Sequence, residues 1–242
     1  MKMNSKVKYF FSLSIFCFAF NLRSQVSYGK VVYERKTNLY KTMRGDDIKN
    51  WVKEADRIKI DYFELVFNDT CSYYMPQVSE LRENFSWATQ KNTVYQNFNN
   101  GIRYIIKNMW GEELHITDSL YERKWQITES TRKIAGYNCR KAVWKANDTT
   151  RIYAWFSYDL ITSTGPESFN GLPGTILGLA TEDGGVVYFA KKVELVKPEA
   201  VVLTPPKKKK IYTITELKTR MEKEYGKEKW FKGMWNNQFG IW

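Results

Sequence analysis

The chain has 242 residues, of which 43% are hydrophobic and 16% aromatic, and its formal net charge is +12. The charge is concentrated at the two ends: residues 1–25 carry +4, residues 197–242 carry +6, and residues 26–196 keep only +2. A nucleic-acid-binding domain places its basic residues on a docking face of the fold, so this distribution argues against a nucleic-acid partner.

The first 25 residues have the pattern of a secretory signal peptide. Lys2, Lys6 and Lys8 precede an apolar run at 9–20, and Ser24 is a small residue at the expected cleavage position. The run is shorter than the roughly 20 residues that cross a bilayer. We therefore expect cleavage near residue 25 and a soluble, exported chain in the periplasm or at the cell surface. An uncleaved N-terminal anchor is the alternative.

Residues 26–196 alternate apolar and polar side chains with a period of two, which predicts strands with one face toward a core. The pattern is clear where apolar residues alternate with mostly charged ones: Ile58, Ile60 and Tyr62 against Lys59, Asp61 and Phe63. Turn residues separate successive strands and predict antiparallel neighbours. The predicted pairs are 93–98 with 102–106, 113–117 with 124–128, and 175–181 with 186–193.

The segment 197–242 is predicted to hold a basic linker, a helix and an aromatic-rich tail. Thr215 is a candidate N-cap, and Leu217, Met221 and Tyr225 recur at helical spacing over 215–225. A second, short helix is predicted over 46–56. The predicted fold is mainly β: one curved antiparallel sheet with a C-terminal helix, by analogy like the half-barrel of the periplasmic lipoprotein carriers.

The sequence offers little material for a reactive centre. His115 is the single histidine, and Glu113 shares its strand face, but a zinc site needs three or four ligands. Neither a Gly-x-Ser-x-Gly elbow nor a phosphate-binding loop is present. The acid pairs Glu112-Glu113 and Glu182-Asp183 lie on a strand and in a turn. We therefore predict no metal, no cofactor and no assigned catalytic residue.

Two cysteines follow the predicted signal peptide, Cys71 and Cys139. An exported chain meets an oxidising compartment, so a disulfide between them is compatible with the sequence. Two buried free thiols are equally compatible.

One loop is richer in glycine and proline than any other stretch of the chain, and we treat it as the candidate binding motif. Pro173-Gly174 favours a type II turn, and the apolar side chains of the loop are expected to plug one end of the sheet. The residues of this motif are Gly165, Pro166, Phe169, Gly171, Leu172, Pro173 and Gly174.

The stretch Gly171-Leu172-Pro173-Gly174 resembles the motif of the GLPGLI family of exported proteins from Gram-negative bacteria. The order of Gly136 to Ala142, Ala154-Trp155-Phe156 and Gly165-Pro166 is similar to that family over about residues 125–195. The resemblance implies an extracytoplasmic protein, brings no catalytic residues, and suggests association with outer-membrane transport systems.

Three functions fit these patterns. The first is a non-enzymatic envelope module that binds an apolar ligand, a peptide or a partner protein in a cavity lined by aromatic residues. The second is a hydrolase with two carboxylates across a cleft. The third is a scaffold of an outer-membrane transport complex, with an outer-membrane protein as partner. A basic run offers a peripheral membrane contact: Lys207, Lys208, Lys209 and Lys210.

Overall fold

The structure is a computed structural model of the chain and describes residues 25–43, 48–77, 84–109, 111–199, 202–205 and 210–241. The predicted signal peptide lies outside the described residues, apart from position 25, and so do Lys207, Lys208 and Lys209.

Twelve strands form one sheet within the described residues. In chain order they are β1 (Gly29–Asn38), β2 (Ile58–Phe67), β3 (Cys71–Pro76), β4 (Thr93–Asn97), β5 (Ile102–Met109), β6 (Glu112–Ser119), β7 (Gln126–Ile134), β8 (Tyr137–Lys145), β9 (Arg151–Ser157), β10 (Thr175–Thr181), β11 (Val186–Glu194) and β12 (Tyr212–Thr213). The period-two pattern of the sequence thus corresponds to strands along most of the chain.

The sheet order is β12-β6-β5-β4-β3-β2-β1-β11-β10-β9-β8-β7. Neighbouring strands are antiparallel except β12, which runs parallel to β6. The predicted pairs β4–β5 and β10–β11 are present. The pairing of 113–117 with 124–128 was wrong, because β6 and β7 lie near opposite edges of the sheet.

The connection between β6 and β7 explains why the sheet curves. It comprises residues 120–125, and a chain of that length spans at most about 25 Å from Ser119 to Gln126. Strands about 4.8 Å apart would place the two edges of a flat sheet much farther from each other. The sheet must therefore bend until its outer strands approach one another. The prediction of a mainly β fold with a curved, largely antiparallel sheet and a C-terminal helix is confirmed.

Four α-helices are described: α1 (Leu39–Thr42), α2 (Ile48–Trp51), α3 (Ile214–Tyr225) and α4 (Phe231–Phe239). The predicted helix at 46–56 is reduced to α2 and a 3-10 turn over Glu54–Asp56, with 46 and 47 outside the described residues. Helix α3 begins earlier than predicted, because Thr213 rather than Thr215 is its N-cap and forms a capping box with Glu216. None of the described helices combines the length and apolar character that a membrane crossing requires.

The C-terminal helices share the main hydrophobic core with the sheet. Leu217 and Met221 of α3 and Phe231 of α4 are buried in the same cluster as Phe63, Ile116 and other strand residues. The segment predicted as a linker, helix and tail therefore packs against the sheet through its apolar side chains.

Strand β2 presents its charged side to the interior. Lys59, Asp61 and Phe63 are buried, whereas Ile58, Ile60 and Tyr62 are exposed. Hydrophobicity alone favours the opposite orientation, since burying a charge is costly unless it is paired. The inward face of the sheet thus has an apolar part and a charged part, and the charged part is where a site is found.

Candidate ligand-binding cavity

A row of polar side chains crosses three adjacent strands on the inward face. Arg35 of β1 lies opposite Tyr188 of β11 on one side and opposite Asp61 of β2 on the other. The Nη2 of Arg35 donates to Asp61 Oδ2 at 2.8 Å, and its Nη1 lies 3.4 Å from the Tyr188 hydroxyl. Inward-facing residues on paired strands must meet, so the strand register itself builds the row.

Asp61 is the anionic centre of this row. Its side chain is fully buried, with Lys59 Nζ at 3.0 Å and Lys91 Nζ at 3.5 Å. Burial opposes ionisation, but the charge of Arg35 and hydrogen bonds from Arg35 and Lys59 outweigh it and hold the pKa of Asp61 below its usual value. Asp61 is therefore a fixed negative charge.

The glycine- and proline-rich loop adds a second carboxylate, Glu167. Its Oε1 accepts from the Tyr188 hydroxyl at 2.9 Å and lies 3.7 Å from Arg35 Nη1, and its Oε2 accepts from Asn92 Nδ2 at 3.1 Å. Glu167 is 2% exposed and has a φ of +54°. A buried carboxylate on a left-handed backbone is a costly arrangement of the kind that clusters at functional sites.

Arg35, Tyr188 and Glu167 border a cavity of about 370 Å³, which we call the polar cavity. Its lining is dominated by charged, amide and hydroxyl side chains, including Arg35, Thr37, Gln90, Asn92, Lys107, Glu167 and Asp183. The predicted cavity lined by tyrosine, tryptophan and phenylalanine is therefore not what surrounds this site. Tyr188 is the aromatic residue in its wall.

Lys107 on β5 forms part of the wall beneath α4. It is 3% exposed, its Nζ donates to the Gln238 carbonyl at 3.2 Å, and the ring centre of Phe239 lies 5.2 Å away. Burial lowers the pKa of Lys107 to about 8; the nearby charge of Arg35 acts in the same direction, and that of Glu167 opposes it. Lys107 thus changes protonation around pH 8.

Two amide oxygens of the wall have no protein donor among the described residues. Gln90 Oε1 and Asn92 Oδ1 are buried without a hydrogen-bond partner. A buried acceptor left unpaired costs about 1–3 kcal/mol. The wall of the polar cavity therefore contains polar groups that the described protein leaves unsatisfied.

The rest of the loop is fixed by two buried arginines and by aromatic packing. Arg103 Nη1 and Arg123 Nη2 both donate to Ser168 Oγ, at 3.1 and 3.2 Å, and Arg123 Nη1 donates to the Ser168 carbonyl at 3.0 Å. The guanidinium of Arg123 also lies 4.2 Å from the ring centre of Phe169. Phe169 and Leu172 are buried in the main core. The loop is therefore a rigid support for Glu167.

The glycines of the loop are required by close packing. A Cβ on Gly165 would lie 2.7 Å from Ile176 Cβ, and a Cβ on Gly174 would overlap the Ser157 carbonyl. The predicted type II turn at Pro173-Gly174 was wrong: Gly174 N donates to the Leu172 carbonyl, which makes a three-residue turn around Pro173. Pro166 is buried beside Gly165, and Gly171 borders a second cavity.

Cys71 and Cys139 are free, buried thiols on β3 and β8, so the disulfide considered from the sequence is not formed in the structure. Burial raises the pKa of Cys139 to about 12, which keeps it protonated. His115 is held between the Tyr104 hydroxyl at 2.6 Å and Glu113 Oε1 at 2.8 Å. Across the described residues, no three His, Cys, Asp or Glu side chains are grouped to hold a metal ion.

The sequence prediction named the loop but missed its partners. Arg35, Asp61, Asn92 and Lys107 were not singled out. A signal existed for Arg35, which shares a strand face with Val31, Tyr33 and Thr37. A charged residue in phase with core residues is a candidate for a buried site. Lys107 carries the same signal, because it shares a face of β5 with the core residues Ile105 and Met109. Asn92 lies before β4 and carries no such signal.

The fold is a mainly β module with a polar cavity on its inward face. The family model described as "N-glycanase peptide, N-terminal domain" matches residues 64–219. That match covers more than half of the chain, and the chain belongs to this family. The assignment to the GLPGLI family that the sequence motif suggested is therefore wrong; the short motif is present, but the longer match places the chain elsewhere.

Two solved structures of PNGF-II have a similar fold. The structure in space group C2 has a TM-score of 0.54 and 18% identity, covering 80% of this chain and 32% of that one. The structure in space group P21 has a TM-score of 0.55 and 17% identity, covering 81% and 34%. The chain thus spans about a third of the length of those proteins. No curated protein matches the sequence.

Proposed function

We propose that this chain is a non-catalytic carbohydrate-binding module of an N-glycanase-type system, and that the polar cavity receives the sugar. The observation that carries the proposal is the charged row Tyr188–Arg35–Asp61 on the inward face of the sheet. Buried charges of this kind are costly to stability, which favours a role in binding. The family description supports a glycan as the class of ligand.

The chemistry of the cavity wall suits a sugar. A saccharide presents many hydroxyl groups, each both donor and acceptor. Gln90 and Asn92 line the cavity with amide groups, and Arg35 and Lys107 line it with donors for the hydroxyl oxygens. The volume of about 370 Å³ lies within the range of small-ligand sites.

The two carboxylates of the site favour binding over hydrolysis. A general acid in glycoside hydrolysis needs a raised pKa, whereas cations hold the pKa of Asp61 low. Glu167 already accepts hydrogen bonds on both oxygens, from Tyr188 and Asn92. We therefore expect the isolated chain to bind glycans without releasing them from a glycopeptide.

Titration of the chain with a panel of free N-glycans and glycopeptides, followed by calorimetry, tests the proposal. The variant Asn92→Ala removes one unpaired acceptor and one support of Glu167, and should weaken glycan binding about tenfold or more. Asn138→Ala is the matched control, because Asn138 is an exposed asparagine on β8. Absence of measurable binding to every glycan, or equal weakening by both variants, would refute the assignment.

The proposal also includes export of the chain from the cytoplasm and contact of its lysine run with a membrane. We propose that residues 1–25 direct the chain out of the cytoplasm, where glycoproteins are met, and that residues 26–196 and 197–242 act as one binding unit. Membrane contact through the lysine run remains a prediction. Of that run the structure describes Lys210, whose Nζ lies 4.8 Å from the Tyr212 ring centre.

A further inference from the structure

We infer that the sugar bound in the polar cavity carries an anionic group, a carboxylate or a phosphate, and that this group pairs with Lys107. The inference rests on the proposed carbohydrate-binding function and specifies the ligand. It is drawn from the charge balance of the buried cations around the site.

Lys107 differs from the other buried cations that the structure describes. Arg35 and Lys59 pair with Asp61, and Arg103 pairs with Asp118 at 3.0 Å. Arg123 pairs with no carboxylate of the described chain, but it lies outside the polar cavity and is held by Ser168 and by aromatic rings.

Among the described residues, no carboxylate lies within ion-pair distance of Lys107, whose one acceptor is the Gln238 carbonyl. An ammonium has three donors. A buried ammonium with a single neutral acceptor is incompletely satisfied. Because Lys107 borders the polar cavity, a ligand there is placed to supply the missing counter-charge.

Counted with Lys107, the charges of the wall leave a net positive balance, and the remaining charges cancel. Arg35, Lys41 and Lys107 face Glu167 and Asp183 across the cavity. Both carboxylates are already engaged, Glu167 by Tyr188 and Asn92, and Asp183 by the Gly185 amide at 2.9 Å. An anionic group near Lys107 therefore meets one uncompensated positive charge.

Protonation of Lys107 is linked to this binding. The pKa of Lys107, lowered by burial to about 8, must rise when an anion binds beside it. The groups that face Lys107 are Glu167 from the loop, Arg35 from β1, and the Gln238 carbonyl and Phe239 ring from α4. At pH 8 Lys107 is about half protonated in the free chain, so an acidic sugar should bind with uptake of up to about half a proton, and a neutral sugar without it.

Calorimetry with matched glycans tests the inference. The probes are a sialylated biantennary N-glycan and its desialylated form, and a phosphorylated high-mannose N-glycan and its dephosphorylated form. The wild-type chain should prefer one acidic glycan over its neutral partner by about tenfold or more. The pair that shows the preference identifies the carboxylate or the phosphate as the anion.

Two variants assign the preference to Lys107. Lys107→Met removes the charge and keeps an unbranched chain of similar length, and should abolish the preference. Lys133→Met, an exposed lysine on β7 near the far edge of the sheet, should retain it. Thermal unfolding verifies that each variant is folded. Independently of any variant, titrations at pH 8 in buffers of different ionisation enthalpy should show proton uptake with the acidic glycan.

The outcomes separate the two levels of the proposal. Equal affinity of the wild type for acidic and neutral glycans, a preference that survives in Lys107→Met, or no proton uptake would overturn the inference and leave the carbohydrate-binding proposal standing. Failure of the wild type to bind any of the four glycans would overturn both.

Discussion

At the scale of single residues, the molecule buries charges where the alternation of its strands suggests apolar contacts. Arg35, Lys59 and Asp61 neutralise one another, because the register of β1 and β2 places Arg35 opposite Asp61. Lys107 is not part of this ion-pair network, and its ammonium donates a hydrogen bond to the Gln238 carbonyl of α4. Its charge therefore lowers the stability of the unliganded chain.

Replacing Lys107 by methionine should stabilise the unliganded chain by roughly 1–3 kcal/mol at pH 7. The pKa of Lys107 is lowered to about 8 in the folded chain, so the unfolded chain binds more protons between pH 8 and about 10.4. The penalty of the buried charge is thus fully present below pH 8 and disappears as the pH rises through that interval. Denaturant unfolding of both proteins at pH 6.5, 8 and 9.5 measures the difference.

That difference should stay nearly constant up to about pH 8 and shrink from there to pH 9.5. All other titrating side chains are shared by both proteins and cancel in the comparison. A stability difference that stays constant from pH 6.5 to 9.5 would show that Lys107 is not a buried titrating group.

At the scale of elements, the loop between β9 and β10 joins the core to the site. Phe169 and Leu172 are buried in the core, while Glu167 is part of the polar cavity wall. Backbone hydrogen bonds hold both ends: Thr175 N donates to the Leu160 carbonyl and Ile176 N to the Thr164 carbonyl, each at 2.8 Å. The Tyr33 hydroxyl donates to the Ile176 carbonyl at 2.6 Å. Rigidity of this loop keeps Glu167 on its left-handed backbone.

The substitution Gly174→Ala should destabilise the chain by about 2–4 kcal/mol, because the new Cβ overlaps the Ser157 carbonyl. Gly136→Ala is the matched control. Gly136 also has a positive φ, of +89°, but no atom beyond its chain neighbours lies within 4 Å of the position that a Cβ would occupy. Gly136→Ala should lower the free energy of unfolding by about 1–2 kcal/mol, which is the penalty of the left-handed backbone alone. Equal losses in denaturant unfolding would mean that backbone conformation, not packing, makes Gly174 necessary.

At the scale of the whole molecule, the C-terminal helices complete the core of the curved sheet. Leu217 of α3 is fully buried in the main core, and β12 adds a parallel strand beside β6. Helix α4 also supplies Gln238, whose carbonyl accepts from Lys107. The part of the chain after residue 210 therefore contributes to both stability and the site.

Truncating Leu217 to alanine should lower the free energy of unfolding by about 2–5 kcal/mol in one cooperative transition. Leu195→Ala is the control, since Leu195 is 49% exposed and should change stability by less than about 0.5 kcal/mol. Near- and far-ultraviolet circular dichroism should report the same midpoint. A separate early transition in the Leu217 variant would contradict a core shared by helices and sheet.

The sequence by itself determined the class of fold. Alternation with period two specified most strands, Asn-Gly and Asp-Gly-Gly specified two hairpins, and the spacing of Leu217 and Met221 specified α3. These signals are local, because a strand face, a tight turn and a helical stripe each depend on residues a few positions apart. The glycine- and proline-rich loop was also evident, since Gly and Pro restrict the backbone directly.

Only the tertiary structure decided the sheet order and the site. The local sequence does not show whether β6 and β7 pair as neighbours or lie near opposite edges of a curved sheet. The orientation of β2 was equally hidden, because burial of Asp61 depends on Arg35, which lies 26 residues away in the chain. Lys107, Asn92 and Glu167 come from β5, the segment before β4 and the loop. Charges are tolerated inside a protein only when distant partners neutralise them, so such a site is specified by the fold as a whole.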